Sequence, residues 1–166
     1  MDKKHLNDVR LNADNKYEYM GDYYKWSSVD ASEKRLVLSV AVGVVFEVIC
    51  GILPNTGADG HPWIMIPFMF AMIMAFILAW RMGQLFLYKK KCKEYQKKHI
   101  ENWFPASSFF LGFNGAFTAI ASIVSGGVVS FYPWLQFMAS AGGFAAYLLY
   151  KRIVWEKIPK SDVENN

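Results

Sequence analysis

Leu36-Val-Leu-Ser-Val-Ala-Val-Gly-Val-Val-Phe-Glu-Val-Ile-Cys-Gly-Ile-Leu53 carries a single charge, Glu47, and lies between Lys34-Arg35 and the helix-breaking Pro54-Asn-Thr-Gly57. At 1.5 Å per helical residue, about 20 apolar residues cross a hydrocarbon core about 30 Å thick, so this run is close to the short limit of a membrane span. Three more apolar runs follow: Trp63–Tyr88, Phe104–Gly126 and Trp134–Tyr150. The second is long enough to tilt or to extend beyond the membrane. A core helix of a soluble protein seldom needs such length, and four in succession argue against a soluble fold.

All 18 Lys and Arg residues fall outside these runs or at one end of them, always on the same side. The connections on the other side, Pro54–Pro62 and Gly127–Pro133, contain neither. Because basic residues are retained in the cytoplasm, this asymmetry predicts both termini inside and a multi-pass protein of the cell membrane. The expected fold is an all-α membrane protein of four transmembrane helices, arranged as two similar in-out-in hairpins. Residues 1–30 would form a cytoplasmic aromatic tail and 31–158 the membrane domain, with spans near 34–53, 63–88, 104–126 and 134–152. A basic cytoplasmic loop, 89–103, would join its halves, and 159–166 would be a polar tail.

Composition agrees with this reading. Of the 166 residues 54% are apolar and 17% aromatic, above the soluble average, and the excess lies in the four runs. The formal net charge of +4 does not point to nucleic acid, since six lysines crowd into Lys89–Lys98 directly after a span. Charge placed there holds a loop in the cytoplasm and attracts anionic headgroups. We accordingly expect Arg81, Lys89, Lys90 and Lys91 to face lipid headgroups, Arg81 by snorkelling. No cleaved leader is expected, because the first apolar run starts only at Leu36 and no small-residue cleavage pattern follows. Cys50 and Cys92 would lie a membrane thickness apart, too far for a disulfide.

Local signals refine the boundaries. Asp30-Ala-Ser-Glu33 has the form of a capping box and starts the first helix near Ala31. Pro62 suits the first turn of the second helix, where its missing N–H has no partner to lose. Nothing from Lys89 to Lys98 breaks a helix, so the second could continue into that segment, and Pro105 would open the third span. Lys16–Trp26 alternates polar and aromatic residues around Gly21-Asp22. It reads either as a small hairpin or, by preference, as an aromatic segment at headgroup level. His61-Pro-Trp-Ile64 and Tyr132-Pro-Trp-Leu135 match after a shift of 71 residues, which fits a duplicated hairpin.

Glu47 is the outstanding candidate for function. A carboxyl group inside a span costs about 2.5–3.5 kcal/mol on insertion scales, so it should turn towards the bundle and, in a low dielectric, keep its proton for much of the time. Ser39, Gly43, Glu47 and Gly51 recur every four residues and suit close helix contact. Counting inward from the outer ends places Thr118 and Ser140 at the depth of Glu47. Asn114, Thr118 and Ser122 form a polar row on the third span, and Gln136 accompanies Ser140 on the fourth. The candidate proton, cation or helix-contact site is therefore Glu47, Asn114, Thr118 and Ser140.

Phe46-Glu-Val-Ile-Cys-Gly51 resembles the first-helix signature of small multidrug-resistance transporters, four-helix proteins whose membrane-embedded glutamate couples protons to cationic substrates. The resemblance implies that role for Glu47, but it covers only this segment. The aromatic N-terminal tail, the Lys-rich centre and a third span without that family's Gly-Tyr-Trp pattern set the remainder of the chain apart.

His5, His61 and His99 are scattered and build no metal-ligand set with the cysteines. Phosphate loops, dinucleotide fingerprints and hydrolase elbows are missing from the sequence. No catalysis, cofactor, metal or nucleic acid is expected. The expected role is that of a non-enzymatic accessory or assembly subunit acting through its cytoplasmic segments, with the lipid bilayer and a cytoplasmic or membrane protein, or further copies of the chain, as associates. The alternative is a small proton- or cation-coupled transporter that uses Glu47.

Overall fold

The computed structural model describes residues 9–11, 17–19, 21–28, 32–53, 61–126 and 131–159. Along the chain these form β1 (Val9–Leu11), β2 (Tyr17–Tyr19), β3 (Tyr23–Ser28), α1 (Ser32–Ile52), α2 (Pro62–Leu87), β4 (Cys92–Lys93), α3 (Glu94–Gly126), α4 (Tyr132–Tyr150) and β5 (Ile153–Ile158). The fold is mostly helical. Three helices, α1, α2 and α3, are long and apolar enough to cross a membrane. The exposed surface supports a multi-pass membrane protein. Trp80 is 66% exposed, Phe76 61% and Leu87 79%, and further aromatic and aliphatic side chains stand out along α2. Soluble proteins rarely display so large a contiguous apolar surface.

The helices close a ring in which α4 packs intimately on both α1 and α3, and α2 packs on α3. The contact between α1 and α2 is the loosest of the four. Glycine explains the close approach of α4. A methyl group at Gly142 would meet the backbone of Gly43 and Ser39 on α1, and one at Gly143 would lie 2.7 Å from the Gly112 nitrogen on α3. Small residues let backbones touch where lipid supplies no hydrophobic drive for association. Sandwiched in this way, α4 is the most shielded helix, which is why it can carry Gln136, Ser140 and Tyr150 on its buried face.

A three-stranded antiparallel sheet, ordered β4-β3-β5, covers one end of the bundle. Tyr23–Ser28 pairs along its whole length with Ile158–Ile153, placing Trp26 opposite Trp155, while Tyr23 and Tyr24 face Lys93 and Cys92. Because these strands precede α1, separate α2 from α3 and follow α4, the basic ends of the chain are gathered there. Side chains alternate across the sheet. Trp26 turns inward, 3% exposed, and donates its indole N–H to the Leu85 carbonyl at 2.6 Å. Lys25, Ser27, Val154 and Glu156 remain exposed. Below the sheet, Phe104 stacks on Tyr150 at 4.6 Å in a core with Leu85 and Ile100.

Several boundaries differ from the sequence reading. The Lys-rich segment does not prolong α2: the chain turns after Leu87, because Lys89 is drawn to Glu33 and Cys92–Lys93 joins the sheet. Most of the expected loop 89–103 is the first part of α3, and Pro105 lies inside that helix rather than at its start. An interior proline costs about 3 kcal/mol, and the helix nevertheless continues through it, with Ile100 and Phe104 buried in the turn before it. The aromatic segment before α1 forms strands, but β2 and β3 are not partners of each other: β2 pairs with β1, and β3 with β4 and β5. Asp30-Ala31 and, within the two outer connections, residues 54–60 and 127–130 lie outside the described residues.

Candidate functional site

The buried positions of α1 are Ser32, Leu36, Val40, Gly43, Glu47 and Cys50. Their spacing of three and four residues follows the 3.6-residue turn. The four-residue series read from the sequence drifts away from this face, so Ser39 is only half-buried and Gly51 is exposed, whereas Gly43 and Glu47 belong to both rows. On α4 the buried residues include Tyr132, Gln136, Ala139 and Gly142, and Gly142 lies directly against Gly43 and Ser39 of α1.

These two helices bring Glu47 and Gln136 together, and both are 0% exposed. The Gln136 carboxamide is the polar group that bears on Glu47, and it bears also on Cys50 and Tyr132. The two side chains stop short of hydrogen-bond geometry. Both carboxyl oxygens of Glu47 and both heteroatoms of the Gln136 amide are buried without a partner among the described residues. A buried polar group left in that condition costs about 1–3 kcal/mol. A carboxylic acid and a carboxamide are complementary, each offering one donor and one acceptor to the other, whereas a carboxylate can only accept. The site can therefore close on a proton, or hold a small cation between carboxylate and amide oxygens.

The other residues expected around Glu47 have different partners. Ser140 is buried and donates to the Gly112 carbonyl at 2.7 Å, pinning α4 to α3. Thr118 is buried and donates to the Asn114 carbonyl, while the half-buried Asn114 donates to that of Phe110, both at 2.8 Å. Ser122 likewise turns back to Thr118. Such i−4 bonds satisfy a hydroxyl or amide within its own helix. Gln136 thus occupies the place assigned to Thr118 or Ser140. Depth measured from the helix ends would have found it: Glu47 is about a turn and a half before Ile52, and Gln136 about one turn after Tyr132. Counting from the loop prolines shifts that level by a turn.

At the sheet-covered end, Arg81 contacts Gln84 at 2.5 Å and the His99 ring at 2.8 Å, joining α2 to α3. Lys89 makes a two-oxygen ion pair with Glu33, at 2.8 and 2.7 Å, and lies over Trp26. Lys91 lies over Tyr23, Lys93 over Tyr19 and Lys97 over Tyr24, while Lys90 is exposed. Among the described residues no three His, Cys, Asp or Glu side chains come together as a metal site, and both cysteines are free and buried. Burial pushes the Cys92 thiol up to about 11, with a smaller contribution from the charge of Glu101 that Lys97 partly offsets.

Comparison with known protein families, with curated proteins and with solved structures finds no match.

Proposed function

We propose that this chain is a four-span protein of the cell membrane, with both termini cytoplasmic. In this reading it acts without catalysis, as an accessory or assembly subunit. One observation carries it: the sheet-covered end is a folded platform assembled from three distant segments. Its lysines are held in register over Trp26, Tyr23, Tyr19 and Tyr24. Lys25, Ser27, Val154 and Glu156 offer a fixed mixed-charge surface above it. A pre-formed surface binds without the ordering cost that a flexible tail would incur. Placing a photocrosslinking residue at Ser27 or Val154 in intact cells tests this. A discrete membrane-protein or cytoplasmic adduct, lacking from the same probe at the opposite-end Phe131, is expected. Equal or no crosslinking at both ends would overturn it.

The unpartnered Glu47–Gln136 pair favours a second reading, proton- or cation-coupled transport. Reconstituted vesicles separate the two. Proton-driven flux abolished by Glu47→Gln would establish transport, whereas absence of flux in the unaltered protein would dismiss it.

A further inference from the structure

The loose contact between α1 and α2 leaves an open apolar slot of about 350 Å³, lined among others by Val37, Ala41, Val45, Ala79, Gly83 and Phe86. Its origin is visible in the two hairpins. Gly112 and Gly143 bring α3 and α4 together, but the positions 71 residues earlier are Ala41 and Met72. Met72 reaches over Gly51 instead, and around Gly83 the space is open, with nothing within 4 Å of an added methyl.

From Val37 to Val45 the slot runs about 12 Å along α1, open along its outer side and walled by apolar side chains, a surface that a hydrocarbon chain covers without leaving a polar group unpaired.

Charge decides the headgroup. The Glu33–Lys89 ion pair ties the start of α1 to the end of α2 across the mouth of the slot. The neighbour of each partner, Lys34 and Lys90, is exposed and has no acidic partner among the described residues. By contrast Lys25, Lys97, Lys98 and Lys157 are each paired with a carboxylate. Lys34 stands one helical turn before Val37, and Lys90 follows the Lys89 that is tied to Glu33, so both ammonium groups belong to the segments that bound the slot at its sheet-covered end.

We infer that the α1–α2 slot is a binding site for an anionic phospholipid, one acyl chain lying along Gly83 and the headgroup held by Lys34 and Lys90. The site is independent of the accessory role proposed above, since it requires only that the chain lie in a bilayer.

The test uses the full-length protein extracted from vesicles of equal parts phosphatidylglycerol and phosphatidylcholine with the same acyl chains, and native mass spectrometry to count retained lipids. Selective retention of phosphatidylglycerol is expected. Replacing both Lys34 and Lys90 with Gln should weaken that preference by about fivefold per lysine while leaving the slot open. Gly83→Leu, whose Cβ meets no neighbour and whose longer side chain extends into the slot, should abolish retention of both lipids at unchanged helical content. A Gly83→Ala variant, smaller still, should retain the preference in part. Equal retention of the two lipids by the unaltered protein would overturn the inference, as would undiminished phosphatidylglycerol retention by a folded Gly83→Leu variant.

Discussion

If Glu47 and Gln136 complete each other as acid and amide, removing either should hurt and removing both should hurt less than the sum. Both side chains are fully buried, and their four polar atoms have no hydrogen-bond partner among the described residues. Glu47→Leu or Gln136→Leu keeps roughly the volume but strands the remaining polar group, at a cost of about 1–3 kcal/mol. The double replacement leaves an apolar contact between α1 and α4 and removes that cost. Direct measurements of hydrogen bonds between membrane helices average about 0.6 kcal/mol with a maximum of about 1.7. The coupling energy should fall in that interval, above the ~0.3–0.5 kcal/mol within which independent sites add. Unfolding of the four proteins by titration from mild into denaturing detergent, followed by helical circular dichroism, measures it. Additive costs would refute the pairing, and a stabilised Glu47→Leu single variant would show that Gln136 does not need the acid.

Two other outcomes follow from the geometry. Gly142→Ala brings a methyl group to 2.7 Å from the Gly43 Cα and 2.8 Å from the Ser39 carbonyl oxygen, both backbone atoms that cannot turn aside. Overpacking of this kind costs about 1–3 kcal/mol, seen as a lower detergent midpoint, while the same change at the unobstructed Gly83 should be nearly neutral. Cys92, buried and raised to about 11, should react with iodoacetamide about a hundredfold more slowly at pH 8–9 than after unfolding, because the thiolate is the nucleophile. Since folding raises this pKa from its ordinary value near 9, the thiol's contribution to stability is intact below that value. It is lost as pH climbs through about 11. A folded protein that labels as fast as the unfolded one would place Cys92 outside the sheet-covered core.

The helices were legible because length and apolarity leave few alternatives, and Glu47 was legible because an acid within such a run must turn inward. Gln136 was missed as its partner because the loops, not the helix ends, set the depth scale. The sheet was beyond reach for a different reason. Its strands are short, lie before α1, between α2 and α3, and after α4, and only become neighbours once the bundle has gathered its ends. Ile153–Ile158 was accordingly read as the margin of the membrane domain, and Lys89–Lys98 as a possible helix extension, since Glu33 and Tyr23–Tyr24, which draw that segment away, are distant in sequence. The α1–α2 slot depends on what Met72 does in place of a glycine, and that too is a tertiary fact.

Sided thiol labelling reads out whether the bundle spans the bilayer with its basic, sheet-covered end in the cytoplasm. Cys50 and Cys92 are both buried, so the background is low. In intact cells, a membrane-impermeant maleimide should label Thr56→Cys and Ser130→Cys, whereas Ser27→Cys on the exposed face of the sheet should react only after the cytoplasmic side is opened. Labelling of Ser27→Cys from outside, or of Thr56→Cys and Ser130→Cys only after opening, would place the sheet-covered end on the outer side.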